Sequence, residues 1–381
     1  MNYAKAWVLR GLSSWLITIV FLFLPNLYAG VPQSWSSTSP TNRNLTAAVY
    51  GQGQYFVVGW GSMIIKSSDS SNWTRALQLG GPPGSGSLDH FYAAAYGNGM
   101  FVAGGQGFML RANSTDGVNW TNTDTLGMEH IYGLTFGNGR FVGVGYGALI
   151  PIYIITSTDG IHWTSPGAGQ YPTSNTLFAV TYGNGLYVAV GDKGTILSSP
   201  DGVTWTLHSC GITKNLRAVT YTGSRFMAGG ESGTMATSVD GLSWTTSQLL
   251  SFDVNGLASG NGAVVAVGAY NGAGRLIAST DGVVWSGTAM VTSQSMNGVG
   301  FVNDRFIALG NNGLIMQSEI FERPRINFAR SAGRLVLSWS GNYRLLSCTN
   351  AAGPYSPINS ASSPYTNSFD DPQRFFELGS R

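Results

Sequence analysis

The feature that most constrains this chain is a unit of roughly forty residues that recurs seven times between Tyr50 and Gly310. Each copy holds a tight turn, often Gly-Asn-Gly, followed by an apolar run that ends in glycine. The seven copies read YGQGQYFVVG, YGNGMFVAGG, FGNGRFVGVG, YGNGLYVAVG, YTGSRFMAGG, SGNGAVVAVG and FVNDRFIALG. The fold must therefore be one in which seven near-identical units pack together.

A second motif fixes the period. Five units continue into Asp-Gly-x-x-Trp, and the first has a looser form with Asp69 before Trp73. The six tryptophans are 47, 43, 42, 39 and 41 residues apart, and they are Trp73, Trp120, Trp163, Trp205, Trp244 and Trp285. This period, with four short strands per unit, is typical of a β-propeller blade. In the fourth unit the predicted strands are LFAVTY, LYVAV, TILSS and VTWT, and Asn184-Gly185 supplies the hairpin turn.

The ends of the repeat predict how the ring closes. The seventh unit has no Asp-Gly-x-x-Trp, so it lacks an outer strand, whereas Trp35 in VPQSWSS lies in a strand with no blade before it. Pairing that strand with Leu314–Ser318 would remove the exposed sheet edges, whereas a solenoid would leave both ends open. The sequence predicts an all-β, seven-bladed β-propeller over residues 30–322, closed by an N-terminal strand.

Composition narrows the possible partners. Charged residues form 10% of the chain, and the net charge of +2 comes from Lys5 and Arg10. Without the first 29 residues the body is neutral, so no nucleic-acid partner is expected. The two cysteines, Cys210 and Cys348, exclude a disulfide scaffold and a cysteine metal cluster. Two separate thiols, or one bridge between domains, both remain open.

The N-terminus predicts export. Residues 1–29 combine two basic residues, an apolar run from Trp15 to Leu24, Pro25 and a cleavage site after Ala29. The run is short for a membrane span. We expect a signal peptide, a periplasmic or extracellular bacterial protein and no stable membrane insertion after cleavage, with an uncleaved anchor as the alternative.

The tryptophan motif resembles a known group. Ser114-x-Asp116-Gly117-x-x-Trp120 and its copies STDGIHW, SPDGVTW, SVDGLSW and STDGVVW resemble the Asp-box repeats of sialidase-like propellers, which include the photosystem II assembly factor family. Asp and Trp are four residues apart here, against five in the usual Asp box. The sialidase catalytic set of three arginines, a Tyr-Glu pair and an aspartate cannot be placed, so it is not carried over.

Residues 323–381 predict a second domain. The strands RLVLSW, YRLLSC and RFFEL, separated by Gly-Pro and Ser-Pro turns, suggest a small β-sandwich. The segment resembles the fibronectin-like C-terminal modules of secreted planctomycete and verrucomicrobial proteins.

The candidate site is the mouth of the propeller channel, where the inner strands begin. One position varies in chemistry between an always apolar and an always small neighbour: Thr46, Tyr92, Tyr132, Phe178, Arg217, Asn255 and Asn297. A second, polar ring lies two residues before this variable position and includes His90, His130 and Asp253. The predicted ligand-binding residues are Tyr92, Tyr132, Phe178, Arg217, Asn255, Asn297, His90, His130 and Asp253.

This chemistry suits a sugar or an extended peptide, with Arg217 available for a carboxylate. No metal or other cofactor is expected, because His90 and His130 lack an evident third ligand. We predict a monomeric, non-enzymatic binding propeller for a glycan or protein. The alternatives are a sialidase-type glycoside hydrolase, whose acids would be Asp89, Glu129, Asp192, Glu231 or Asp253, and an assembly or scaffold factor.

Overall fold

The chain divides into two compact units. A computed structural model describes residues 6–9, 31–78, 89–106, 111–122, 129–147, 152–165, 171–285, 290–321, 327–331, 334–338, 343–348, 356–358, 362–367 and 373–380. One unit is Val31–Ile320, and the other combines Met1–Gly30 with Phe321–Arg381.

The unit Val31–Ile320 is a seven-bladed β-propeller, which confirms the predicted fold class. Each blade is an antiparallel sheet whose strands follow one another from the central channel outwards. The inner strands of blades 1 to 7 are Leu45–Gly51, His90–Gly97, His130–Gly137, Leu177–Gly183, Leu216–Tyr221, Asp253–Gly260 and Met296–Val302.

The middle strands carry most of the buried apolar side chains. The second strands are Gln54–Gly59, Met100–Gln106, Arg140–Tyr146, Leu186–Gly191, Phe226–Gly230, Ala263–Tyr270 and Arg305–Gly310. The third strands are Met63–Ser67, Arg111–Ser114, Tyr153–Ser157, Ile196–Ser199, Thr234–Ser238, Ala273–Ser279 and Ile315–Ser318. Most of the hydrophobic clusters join residues of adjacent blades, as Phe56 and Phe101 do with ring centroids 4.5 Å apart.

The outer strands are short. They are Thr74–Gln78, Thr121–Asn122, Thr206–His208, Thr245–Gln248 and Met290–Thr292 in blades 1, 2, 4, 5 and 6. Among the described residues of blade 3, a bridge between Thr156 and Thr164 takes this position. The fourth-blade strand begins after Trp205, later than the predicted VTWT, because the N–H groups of Val203 and Thr204 bind the Asp201 carboxylate instead.

The hairpin turns take the backbone conformation predicted from Gly-Asn-Gly. Asn98, Asn138 and Asn184 have φ angles of 49°, 46° and 48°, and a glycine with positive φ follows each. Asparagine and glycine are the residues that tolerate this left-handed region most readily.

The Ser-x-Asp segments, five of them followed by glycine, form closed turns, which we call Asp turns; they begin at Ser67, Ser114, Ser157, Ser199, Ser238 and Ser279. In each, the serine hydroxyl donates to the aspartate, whose Oδ1 also accepts the N–H groups two and three residues further on, for example at 2.8 Å in the turn of Asp116. The N–H groups of Ser243 and Leu242 lower the pKa of Asp240 to about 2. These carboxylates therefore bind groups of their own turns.

The ring is closed by the N-terminal strand, as predicted. Trp35–Thr38 pairs antiparallel with Ile315–Ser318, so that Trp35 lies opposite Ser318. Glu319 fixes the entry of this strand, because its carboxylate accepts the N–H groups of Gln33 at 2.7 Å and Ser34 at 2.8 Å and the Ser34 hydroxyl at 2.9 Å. Burial alone would raise the pKa of Glu319, but these donors outweigh it and hold the pKa below its ordinary value.

The second unit contains two antiparallel sheets among its described residues. One joins Ala6–Leu9, Gln373–Ser380, Tyr343–Cys348 and Ser356–Pro357, and the other joins Asn327–Ser331, Arg334–Ser338 and Tyr365–Asn367. Ala6–Leu9 falls within the predicted signal peptide, and most of that segment lies outside the described residues. In the described part of the chain we find no helix of the length and apolar character needed to cross a membrane.

Replacing Glu319 with glutamine should weaken the closure. Glutamine keeps one acceptor oxygen but loses the second and the charge, which at this partly exposed position should cost about 1 kcal/mol and lower the Tm by roughly 2–4 °C. Because folding lowers the pKa of Glu319, its carboxylate stabilises the folded state at pH values above its ordinary pKa of 4.5. This stabilisation is lost as the pH falls towards the pKa in the folded state. The difference in Tm between the two proteins, measured by calorimetry, should therefore shrink below that pH.

Ser36→Ala in the exposed part of the same strand is the matched control and should leave the Tm unchanged. A difference between wild type and Glu319→Gln that stays constant from neutral to acidic pH would contradict this role of the carboxylate.

Candidate functional site

The channel mouth is built by a β-bulge that occurs once in every inner strand. In blade 1, Leu45 pairs with Gly59 and Ala47 with Val58, so Thr46 is the extra residue between them. The same shift in the other blades makes extra residues of Tyr92, Tyr132, Phe178, Arg217, Asn255 and Asn297. A bulge redirects the side chain of its extra residue. These are the seven positions that the sequence predicted to vary in chemistry.

A glycine opposite each bulge makes the bulge possible. A Cβ on Gly191 would stand less than 3 Å from the carbonyl oxygen of Thr176, and the corresponding glycine of every blade faces the equivalent carbonyl. The seven glycines are Gly59, Gly105, Gly145, Gly191, Gly230, Gly268 and Gly310. Each is the last residue of its repeat copy, so the bulge could have been predicted from these glycines.

The bulges bring all seven extra residues to one cavity. It has a volume of about 240 Å³ and is lined by Thr46, Tyr92, Tyr132, Phe178, Arg217, Asn255 and Asn297 together with the two residues that follow each of them. Six of the nine predicted ligand-binding residues therefore lie together at the channel. The apolar residues just before the bulges, such as Leu45 and Phe91, are fully buried, as the pattern predicted.

Three of the seven side chains donate hydrogen bonds to neighbouring blades. The Thr46 hydroxyl donates to the carbonyl of Phe91 at 3.0 Å, and the Asn255 amide donates to the carbonyl of Met296 at 2.9 Å. Asn297 donates to the carbonyl of Leu45 at 3.0 Å. In each case the acceptor lies just before the bulge of the next blade, so these side chains tie adjacent inner strands together. The amide donors predicted for a ligand are thus used within the ring.

Arg217 is held by an acidic partner. Its Nη2 donates to Oε1 of Glu231 at 2.8 Å, and the amide of Asn215 donates to the same oxygen at 3.0 Å. The hydrogen bond from Arg217 is the main reason why the pKa of Glu231 lies below its ordinary value. The guanidinium predicted to bind a ligand carboxylate is therefore already paired with a carboxylate of the chain.

The remaining three residues form a continuous aromatic arc, which we define as Tyr92, Tyr132 and Phe178 in blades 2, 3 and 4. The ring centroids of Tyr92 and Tyr132 are 5.4 Å apart, and those of Tyr132 and Phe178 are 5.9 Å apart. All three rings are partly exposed. Burial raises the pKa of both tyrosines, so their hydroxyls are neutral at physiological pH.

His90 and His130 extend this arc outwards instead of lining the cavity. His90 stacks on Trp60 with centroids 4.7 Å apart, and His130 shares a 2.9 Å hydrogen bond with the Tyr132 hydroxyl and lies 5.5 Å from the Tyr146 ring. Burial lowers the pKa of both imidazoles. Trp60 and Tyr146 were not among the predicted site residues, although each directly follows the bulge glycine of its blade.

The inner hairpins differ in length beyond the bulge. In blades 2, 3 and 6 the paired strands continue past it, to His90 opposite Gln106, His130 opposite Tyr146 and Asp253 opposite Ala269. In blades 4, 5 and 7 the second strand instead runs into a one-turn 3-10 segment: Asp192–Gly194, Glu231–Gly233 and Asn311–Gly313.

Asp253 lies in the sixth blade, outside the cavity lining, and accepts the N–H of Ser232 at 2.7 Å. Within the described ranges, no three histidine, cysteine, aspartate or glutamate side chains are grouped as a metal ion would require. The thiol of Cys210 is free in the structure and donates to the carbonyl of Gly194.

The fold and mouth define a seven-bladed propeller with an aromatic channel entrance. Solved structures similar to it include YCF48 bound to D1 peptide (TM-score 0.57, 17% identity, 77% of this chain and 100% of that chain) and YCF48 from Cyanidioschyzon merolae (0.54, 16%, 74% and 98%). The WD40 propeller domain of Doa1 is also similar (0.57, 12%, 74% and 96%). At these identities the similarity shows the fold alone. No family model and no curated protein matches the chain.

Replacing Gly191 with alanine should destabilise the propeller, because the new methyl group meets the Thr176 carbonyl. Overpacking of this kind costs about 1–3 kcal/mol, measured by urea denaturation. Gly300→Ala is the control: it also lies in a propeller strand, but its Cβ would be 3.3 Å from the nearest neighbouring atom, the carbonyl oxygen of Ala48. Equal losses of unfolding free energy in the two variants would contradict the role of the bulge glycine.

Proposed function

We propose that this protein is a non-enzymatic binding propeller that holds a segment of a partner protein against the aromatic arc. The observation that carries the proposal is the division of the bulge ring. Thr46, Asn255 and Asn297 bind neighbouring blades and Arg217 is paired, which leaves the arc as the part of the ring available to a ligand.

The shape and chemistry of the arc support a protein ligand. Partly buried aromatic side chains in a concave site contribute large contact area at low entropic cost, and they dominate the energetics of protein recognition. A protein of similar fold is known in a peptide complex, YCF48 bound to D1 peptide. An assembly or scaffold role would use the same surface, since it too requires a protein partner at the mouth.

A glycan is the second candidate, because aromatic faces also suit sugar rings. The structure favours the protein over the glycan on one point: a sugar needs amide and hydroxyl donors beside the rings, and the amide donors of Asn255 and Asn297 already bind carbonyls of the chain. A glycosidase would need a carboxyl group with a raised pKa as general acid. Glu231 has the opposite shift, so it does not suit that role.

A linear random-peptide phage library, selected on the immobilised protein, tests the proposal. We expect enriched peptides whose binding is lost in the Tyr92→Ala/Tyr132→Ala double variant, because that change removes two of the three arc rings. Binding should weaken at least tenfold in a fluorescence-polarisation titration, since two aromatic anchors together contribute more than about 1.4 kcal/mol.

Ser224→Ala, in the exposed hairpin turn of blade 5 at the opposite end of the inner strand, is the control and should bind as wild type does. A glycan array probed in parallel covers the second candidate. Enriched peptides that bind the double variant equally well, or ligands found on the glycan array alone, would overturn the proposed protein ligand.

We also propose that residues 1–29 act as an export signal. The support is the order of basic residues, apolar run and Ala29 in the sequence. Mass spectrometry of the protein secreted by a bacterial host should give Gly30 as the first residue. Recovery of the protein only in the cytoplasm with Met1 intact would contradict export.

A further inference from the structure

The geometry of the aromatic arc points to one kind of ligand group. Tyr92 and Tyr132 are tilted by 52° to one another, and Tyr132 and Phe178 by 45°. Rings at these angles do not stack flat on one another, and all three line the same cavity. Several aromatic rings around one cavity can attract an organic cation through the ring quadrupoles.

Several carboxylates lie near the arc. Asp192 acts on Tyr132, where it is a smaller cause of the raised pKa than burial and Tyr146. Asp89 and Glu129 act on His90 and His130, and the one cation that also acts on His90 is Arg43. The cation of the bulge ring, Arg217, is neutralised by Glu231 at 2.8 Å. Burial holds His90 and His130 towards their neutral forms at physiological pH, so the histidines beside the arc do not supply positive charge there.

We propose that Tyr92, Tyr132 and Phe178 bind a cationic side chain, the ammonium of lysine or the guanidinium of arginine, that the partner segment inserts into the channel mouth. This inference rests on the proposed function, since it names the part of the protein ligand that the arc recognises. Arginine and lysine side chains are long enough to reach the cavity while their main chain stays outside. The cavity of about 240 Å³ is large enough for one such group.

Choline is the probe that isolates the cation, because 3,3-dimethylbutan-1-ol has the same shape without the charge. Both are titrated into the full-length protein and followed by ligand-observed NMR. Cation–π attraction at a partly exposed site should make choline bind about tenfold more tightly than the neutral alcohol. Equal affinity of the two compounds, or no binding of choline, would overturn the inference.

Phe178→Leu is the discriminating variant, since leucine keeps an apolar side chain but has no π face. The preference for choline over the alcohol should fall because one of the three rings is lost, while the alcohol still binds. Tyr132→Phe keeps the ring and should keep the preference, and Ser224→Ala on the opposite end should match wild type. An undiminished preference in Phe178→Leu would overturn the assignment, and calorimetry of each variant checks that the fold is intact.

The two proposals fail in different ways. Selected peptides that bind at the mouth with equal affinity when their lysines and arginines are replaced by glutamine would overturn the cation inference and leave the protein-binding proposal standing. Choline bound at the arc with no peptide enriched would do the reverse. A loss of peptide affinity of about tenfold on these replacements supports both.

Discussion

The whole mouth of this propeller depends on one close approach, that of a backbone carbonyl to a glycine Cα where each inner strand bulges. The bulge adds one residue to the strand, and the residue opposite it must lack a Cβ, as Gly191 does facing Thr176. Because the bulge recurs in all seven blades, it converts a uniform repeat into a ring of seven side chains that face the channel. The extra residue takes no part in the strand ladder, so its identity is free to vary from blade to blade.

The conspicuous letters of the sequence have a different task. In each Asp turn the aspartate carboxylate accepts hydrogen bonds from N–H groups of the same turn. Such hydrogen bonds lower the pKa of Asp240 to about 2. Several turns also fix the tryptophan that follows them, as in Trp205, whose indole N–H donates to the carbonyl of Gly202. A ring of near-identical wedges needs these contacts at every blade. Regularity in the sequence therefore marks the scaffold, and irregularity at the bulge marks the candidate site.

The features of the fold that follow directly from the repeat could be predicted from the sequence. The seven blades and the pairing of Trp35–Thr38 with the seventh blade follow from counting tryptophans and missing strands, because an unpaired strand edge must be covered. The sequence could place Tyr92 and Arg217 at the mouth, since both fall at the same step of the repeat. It could not show that Arg217 pairs with Glu231, or that Asn297 reaches the first blade, because these contacts join residues that only the closed ring brings together.

The seven bulge residues differ in whether they hydrogen-bond to a neighbouring blade. This difference is the reason why we propose one side of the mouth as the binding site. Asn255, Asn297 and Thr46 link blades 6, 7, 1 and 2, the part of the ring on either side of the closure between the chain ends. The break in the chain lies inside blade 7, where Trp35–Thr38 pairs with Ile315–Ser318, and these hydrogen bonds tie that blade to its neighbours. Blades 2 to 4 lie farther along an uninterrupted chain, and there the same position holds rings that contact one another without such bonds. These three positions are those of the arc that we propose as the binding site.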